Sequence, residues 1–479
     1  MTEIKSFIKL DSFYKVILVF LLLLFFLQSL FFALYVREGI FPDEAHHLKL
    51  SQLYSETLGK PSNSEESFHL GSIENIPYLY HWISGRILNI KKVILPSVDD
   101  LIVLRIFTVI TGVINLYVAY EIVKSITKDK LQHILVVGML SNTLMFSFIS
   151  AGVGYDPLLI LFSFLSILLT LKLLEKNSLT LLLLLVLILL AGMLTKITFL
   201  PLALVVIIFV VVTIVKQRKE YLKEIKSLVK DKDKLKYLIP LLVIISFFLF
   251  LTLDLYLGNI IKHKSLTPSC TQVMKEEDCM RSIEFSSYLE IHENASSQEE
   301  RLKPYWYIPH WVYLMTDRVY GIFGHQSMLL SYGQFSRYFG IIALGIILFL
   351  TNCGVKNSKY KFFISLILFY VFILMYRTNY QGYLSHGLLH AAVQGRYIFP
   401  VIAPIYILVT QGLLSFKNKY VRAIIFGVVL SVFIYGNMPF FMKNFTEDWF
   451  FENSKGTEII INMRDFLYTT NHKIRTLLP

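Results

Sequence analysis

The stretch Phe41-Pro42-Asp43-Glu44-Ala45-His46-His47 sets two carboxylates beside two imidazoles, shortly after an uncharged apolar run from Val16 to Tyr35. A positioned carboxylate can take a proton as a general base, and an imidazole can orient it or bind a phosphate or metal. Asp43 or Glu44 is thus a candidate base, with His46 and His47 as supports. The plainer reading is that Pro42 opens a helix, that the acids favour its positive N-terminus, and that the histidines are solvated.

Three further positions could join them. Asp156 lies in a very short polar break, Ser150-Ala151-Gly152-Val153-Gly154-Tyr155-Asp156-Pro157, where it could equally cap the helix opened by Pro157. Lys196, in Thr195-Lys196-Ile197-Thr198, is the only charge between about 177 and 215. Arg396, in Gln394-Gly395-Arg396-Tyr397-Ile398-Phe399-Pro400, opens another apolar run. A cation this close to hydrocarbon needs a partner or must reach to the interface. An anionic head group would serve, held by Arg in a forked grip and by Lys as a point charge. The polar loop from Arg377 to His390 carries amides, hydroxyls and imidazoles that suit a polyol or, equally, an ordinary solvated loop; His390 joins the candidate substrate contacts, as do Gln394 and Tyr397 beside Arg396. Tyr305, Trp306, Tyr307, Trp311 and Tyr313 could stack on sugar rings or form an interfacial aromatic belt.

What must position these groups is a membrane-embedded scaffold. Hydrophobic residues make up 55% of the 479, charged residues only 17%, and mean hydropathy is +0.59, beyond the range of soluble globular chains. The expectation is an all-α polytopic membrane protein of about eleven spans, at about 16–35, 101–123, 131–150, 157–174, 178–194, 199–215, 237–258, 336–352, 362–377, 397–415 and 422–441. Each is near the roughly 20 residues needed to cross a bilayer. No small-residue cleavage site follows the first run, so it reads as an uncleaved span with a cytoplasmic N-terminus. The chain divides into a transmembrane domain over 1–441 and a short outer tail over 442–479. Two short interfacial helices, from Pro42 to Leu58 and from Pro77 to Ile87, are expected in the first outer loop.

Lys and Arg crowd alternate connections, which places those on the cytoplasmic side. The most basic, over 216–236, carries much of the net charge of +12; it reads as a topology signal touching anionic lipid, not as a nucleic-acid site. The opposite face then holds the segments 37–100, 259–335, 378–396 and the tail. Cys270 and Cys279 share the second of these and either form a disulfide or remain separate thiols. Asn294 and Asn444 begin glycosylation sequons. Walker, GxGxxG, paired CxxC, HExxH and nucleophile-elbow motifs are missing, so nucleotide-driven transport, nicotinamide chemistry and zinc proteolysis lose support. No internal repeat is evident, which weighs against a secondary transporter.

Pro42-Asp43-Glu44-Ala45-His46, Tyr155-Asp156, Thr195-Lys196 and Gln394-Gly395-Arg396-Tyr397-Ile398-Phe399-Pro400 fall in order on one face, over roughly residues 15 to 415. In this the chain resembles the GT-C superfamily of integral-membrane glycosyltransferases, and most closely a bacterial family of GT-C-type membrane proteins of unassigned function. The resemblance implies a GT-C-like fold in a bacterial plasma membrane with the site facing outward. It implies a polyprenyl-phosphate-linked sugar as donor and a glycan, lipid or protein hydroxyl as acceptor, recognised by loops and the short tail.

The expected reaction is an inverting transfer of a hexosyl or pentosyl group. Asp43 takes the acceptor proton, Glu44 and His46 support it, and Arg396 and Lys196 hold the phosphate. Asp156 is a further catalytic candidate, and with Asp43 it could instead bind a divalent metal ion. A lipid-linked glycan flippase, a polymerase or ligase using a polyprenyl-diphosphate donor, and a receptor or structural subunit are the other readings.

Overall fold

A computed structural model of the chain describes residues 2–230, 232–282, 285–287, 289–290, 301–355, 357–389, 393–451 and five positions beyond, 458–459, 461–462 and 465. His390 and Asn294 lie outside the described residues. The fold is helical, with one two-stranded hairpin among the described residues. Nine helices there are long and apolar enough to cross a membrane: Phe13–Tyr35, Asp100–Ile126, Asp156–Glu175, Ile197–Lys216, Leu238–His263, Tyr332–Cys353, Ser358–Ser385, Gly395–Leu413 and Lys419–Asn444. Two of the eleven expected spans are filled by shorter apolar helices, Lys130–Ser141 and Leu179–Thr195.

The expected span at 131–150 is broken, and the reason is local. Asn142 and Thr143 separate α5 (Lys130–Ser141) from α6 (Leu144–Ile149). Their side chains return to backbone carbonyls, Asn142 to Gly138 at 2.9 Å and Thr143 to Met139 at 2.9 Å, competing with helix continuation. The polar break is covered by Gln28 and Asn437, which bond each other at 2.6 Å.

The helices that carry the site are α1 (Thr2–Tyr35), α4 (Asp100–Ile126), α7 (Asp156–Glu175), α8 (Leu179–Thr195) and Gly395–Leu413. α4 packs between α1 and α7, and its Asn115 donates to the Pro157 carbonyl at 2.8 Å. At one end of the bundle gather the basic connections, tied by Lys359 to Glu175 and Arg422 to Asp129. At the other end lie the long loops. α2 (Glu44–Glu56) and α3 (Leu79–Ile94) meet the two expected interfacial helices and pack on each other.

Pro304–Tyr320 is a helix followed by the hairpin, whose strands Ile322–Phe323 and Ser327–Met328 pair antiparallel with Ile322 opposite Met328. Tyr307 and Trp311 are buried in the core, and Trp311 donates to Asn379 at 2.8 Å. Those two are packing residues, while Tyr305, Trp306 and Tyr313 are exposed. The segment from Arg377, expected as a loop, is helical as far as His386. The tail returns across the site end: Val36 bridges Phe450, and Trp449 is buried. Cys270 and Cys279 form a disulfide with Cα atoms 5.8 Å apart.

One buried ion pair fixes the geometry of this end. Arg105, inside α4, is fully buried and donates to both Glu44 oxygens, at 2.8 and 2.6 Å, and to the Ala33 and Val36 carbonyls at the end of α1, at 2.9 and 2.6 Å. Glu44 also accepts from the Val153 amide at 3.0 Å. The guanidinium lies 4.8 Å from the centre of the Phe41 ring. That ring packs so closely on Gly152 that a Cβ there would sit 2.5 Å from its Cγ. Glu44, expected to assist catalysis, is thus wholly committed to a strut between α1, α2, α4 and the turn before α7. Arg105→Leu leaves the Glu44 charge buried and unpaired, a loss of about 3–5 kcal/mol; the expected outcome in detergent is a much lower thermal midpoint and little folded protein.

Candidate active site

The turn after α1 delivers Asp43 in the left-handed conformation, φ 58° and ψ 15°, which Asp tolerates better than most residues. Asp43 occupies the N-cap position of α2, yet its side chain makes no cap hydrogen bond. Its Oδ2 instead accepts from Arg396 at 2.5 Å. Asp156, the first residue of α7, also leaves its helix uncapped and accepts from Lys196 at 2.7 Å. Arg396 reaches it as well, with Nη1 3.4 Å from Asp156 Oδ2. The simple capping readings of both acids therefore give way to one alternating cluster, Asp43, Arg396, Asp156 and Lys196.

Each member arrives for a structural reason. Lys196 sits in the turn after α8, and its ammonium lies 4.1 Å from the Tyr155 ring centre and 4.6 Å from that of Tyr397. Two rings and a carboxylate compensate its burial. Arg396 opens a 3-10 turn, Gly395–Val401, that continues into Ile402–Leu413. Gly395 is necessary there, because a Cβ would run into the Arg318 carbonyl. Tyr397 is held by its own carbonyl, which accepts from Tyr370 at 3.0 Å.

Exposure divides the cluster. The side chains of Arg396, Asp156 and Lys196 are 5%, 7% and 8% exposed, whereas Asp43 is 45% exposed. Two groups keep unused polar atoms: Arg396 Nε and Gln394 Oε1 are buried with no hydrogen-bond partner among the described residues. Burial would raise the Asp43 carboxyl, but the facing Arg396 guanidinium outweighs it and holds the group below the usual carboxylate range. Burial lowers the Lys196 ammonium to about 8, against the pull of Asp156.

The histidines separate into different roles. His47 is buried and its Nδ1 lies 3.0 Å from Nε2 of His81 on α3, a residue the sequence reading passed over. Desolvation pushes His47 well below its ordinary value, helped by the neighbouring His81 and His46, and brings His81 to about 3. Both are neutral and structural, joining α2 to α3. His46 stands beside them, its ring centre 5.6 Å from that of His47. A second missed residue is His325, at the hairpin tip, whose Nε2 accepts the Asp43 amide at 3.4 Å.

A divalent ion between Asp43 and Asp156 does not fit these residues. The Arg396 guanidinium occupies the position between the two carboxylates, and no three His, Cys, Asp or Glu among the described residues are grouped to hold an ion.

Residues 77–230 match the family model described as dolichyl-phosphate-mannose-protein mannosyltransferase. The match takes in Asp156 and Lys196 but ends before Arg396 and begins after Asp43. Among curated proteins, none matches the chain. Among solved structures, the chain is similar to the apo oligosaccharyltransferase of Archaeoglobus fulgidus, with 12% identity and a TM-score of 0.51, over 93% of this chain and 59% of that one. It is also similar to ArnT from Cupriavidus metallidurans bound to undecaprenyl phosphate, with 14% identity and a TM-score of 0.45, over 84% of this chain and 60% of that one. The chain spans about three fifths of the length of these proteins. The fold is therefore GT-C-like, as the motif resemblance implied.

The neutral histidine pair makes the first loop acid-sensitive. Because the folded pKa values lie below the unfolded value near 6.5, the unfolded chain takes up protons first, and stability present above about pH 6.5 declines as pH falls toward 3. The thermal midpoint in detergent is expected to drop between pH 7.5 and 5. His81→Asn is expected to flatten that drop, and an unchanged slope in the variant would count against this assignment.

Proposed function

We propose that the protein is a membrane glycosyltransferase that moves a sugar from a polyprenyl-phosphate donor to an acceptor hydroxyl at the extracytoplasmic face of a bacterial plasma membrane, with the N-terminus in the cytoplasm. The observation that carries the reading is the gathering of Asp43, Asp156, Lys196 and Arg396, distant in sequence, into one cluster at the loop-bearing end, with a single acid exposed and an unused Arg396 Nε beside it. The description of the family model over 77–230 supports a lipid-phosphate sugar donor.

As built, the cluster is electrically balanced, two carboxylates against two cations. A donor phosphate entering from the exposed side competes with Asp43 for the Arg396 guanidinium. Asp156 does not yield its place, because it is buried and held by Lys196. Phosphate binding thus draws Arg396 away from Asp43, and the carboxylate it releases becomes a stronger base. Asp43 then takes the acceptor hydroxyl proton as the acceptor oxygen forms its bond to the anomeric carbon. The bond from that carbon to the phosphate oxygen breaks, and the electron pair leaves with the polyprenyl phosphate. Attack opposite the leaving phosphate inverts the anomeric centre. Arg396 and Lys196 stabilise the charge that develops on the leaving group, commonly the largest catalytic term. The proton leaves Asp43 to water on its exposed side.

Gln394 and Tyr397 border the phosphate position. His47 and Glu44 act through the scaffold, not on the substrate, and the half-buried His46 is kept as a substrate contact.

Asp43→Asn is expected to lower transfer of label from polyprenyl-phosphate sugars in membranes by roughly a hundred- to ten-thousand-fold, with folded protein and undecaprenyl phosphate binding retained; near-normal transfer would remove Asp43 as base. Since Lys196 loses its charge as pH rises through about 8, and a phosphodiester donor does not titrate there, donor affinity is expected to fall above pH 8. One lost charged hydrogen bond corresponds to roughly tenfold or more in affinity. Lys196→Met should bind weakly with no such pH dependence.

A further inference from the structure

The exposed side of Asp43 is bounded by an element that the reaction above does not use. We propose that the hairpin tip, Gly324-His325-Gln326, is the acceptor-side wall of the site, and that His325 positions Asp43 against a polyhydroxylated, glycan-type acceptor. This rests on the glycosyltransferase reading and specifies the acceptor half of it.

Behind Asp43 the cluster is buried, with Arg396, Asp156 and Lys196 each under a tenth exposed. Asp43 is the cluster's one accessible member, so an acceptor reaches the base from where Asp43 is open. The tip stands against the turn that presents Asp43. Gly324 lies so near Pro42 that a Cβ would be 3.1 Å from its Cγ. His325 Nε2 accepts the Asp43 amide at 3.4 Å, at the point where that backbone is left-handed. The exposed His325 must then carry its proton on Nδ1, which leaves a donor for an acceptor oxygen. Gln326 donates its amide to Asp448 in the tail, and its Oε1 is buried with no partner among the described residues. A hydrogen-bond donor on His325 and a vacant acceptor on the next residue suit neighbouring hydroxyls of a sugar, each of which can both give and receive.

The wall is supported from behind. The Leu330 amide donates to Asp317 at 2.7 Å, and the Arg318 guanidinium lies 3.5 Å from the Phe323 ring centre. Arg318 also donates to the Val393 carbonyl, and its own carbonyl is the surface on which Gly395 rests. One helix end therefore carries both the hairpin and the segment that places Arg396, so acceptor wall and phosphate-binding cation share a support.

The test measures where the sugar goes. Membranes holding the full-length protein receive radiolabelled polyprenyl-phosphate sugar, and label is counted in glycan and glycolipid, in protein, and as free sugar released to water. His325→Ala is expected to lower the ratio of glycan-bound label to free sugar by about tenfold or more, while affinity for undecaprenyl phosphate stays within about twofold. His325→Gln, whose carbonyl can still accept the Asp43 amide, is expected to recover most of that ratio. Gln326→Ala probes the same wall should His325→Ala fold poorly, and the same direction of change is expected. A wild-type ratio in both alanine variants overturns the proposal, as does a parallel loss of undecaprenyl phosphate binding, or label that goes to protein. A wild-type protein that transfers no label overturns the glycosyltransferase reading itself, which separates the two failures.

Discussion

The arrangement of the site depends on the ion pair between Arg105 and Glu44. Neither side chain is exposed, so each charge has lost its hydration and must be repaid by fixed partners. Those partners are the two carboxylate oxygens, the terminal carbonyls of α1 and the Val153 amide. Guanidinium at the carbonyl end of a helix is favourable in its own right. The pair thus joins the exit of α1, the start of α2 and the turn before α7, and this joint brings Asp43 and Asp156 within reach of the same guanidinium. Asp43 precedes the helix in the left-handed conformation and Glu44 is its first helical residue, so the two adjacent acids project in different directions. That difference gives Glu44 to the interior and leaves Asp43 at the surface.

The four-charge cluster follows a different rule. Its cations are placed by rigid contacts, Lys196 between two tyrosine rings and Arg396 on a 3-10 turn packed against a neighbouring carbonyl. Its interior carboxylate is saturated by both. Only Asp43 rests on a single partner in a half-exposed setting. A balanced cluster with one weakly committed member can exchange that member for an incoming anion without leaving a buried charge unpaired, which a cluster of four equally buried groups could not do.

The sequence carried the membrane class, the two helices of the first long loop and the four charged residues that cluster, because each signal is local: apolar run length, a charge beside a span, an acid before an apolar segment. The geometry then joined residues that local pattern cannot pair. Asp43 and Arg396 are 353 residues apart, Asp43 and His325 282. Arg105 lies within an apolar run, and nothing within its own helix reveals that it meets Glu44, 61 residues away. His81 was hidden among the aromatics of the second interfacial segment, and the hairpin is too short for any periodicity. The division of labour between Asp43 and Glu44 was equally unreadable, because it depends on which acid Arg105 claims. The break at Asn142 had a signal in its two side-chain competitors, outweighed by the apolar run around them.

The two halves of the site are built from different kinds of structure, and that has a consequence for specificity. Asp156, Lys196 and Arg396 sit at the ends of membrane helices, whose positions are fixed by packing along their whole length. Asp43, the hairpin tip and Asp448 belong to connections held by a few hydrogen bonds. Loops tolerate substitution and change of length far better than packed helices do. On the proposed chemistry, the lipid-phosphate half is therefore constrained by the bundle, while the acceptor half can be altered at His325 or Gln326 without disturbing the cations. A change of acceptor needs only a new wall opposite Asp43, whereas a change of donor head group would require moving helix ends that Arg105, Gly152 and Gly395 hold in register.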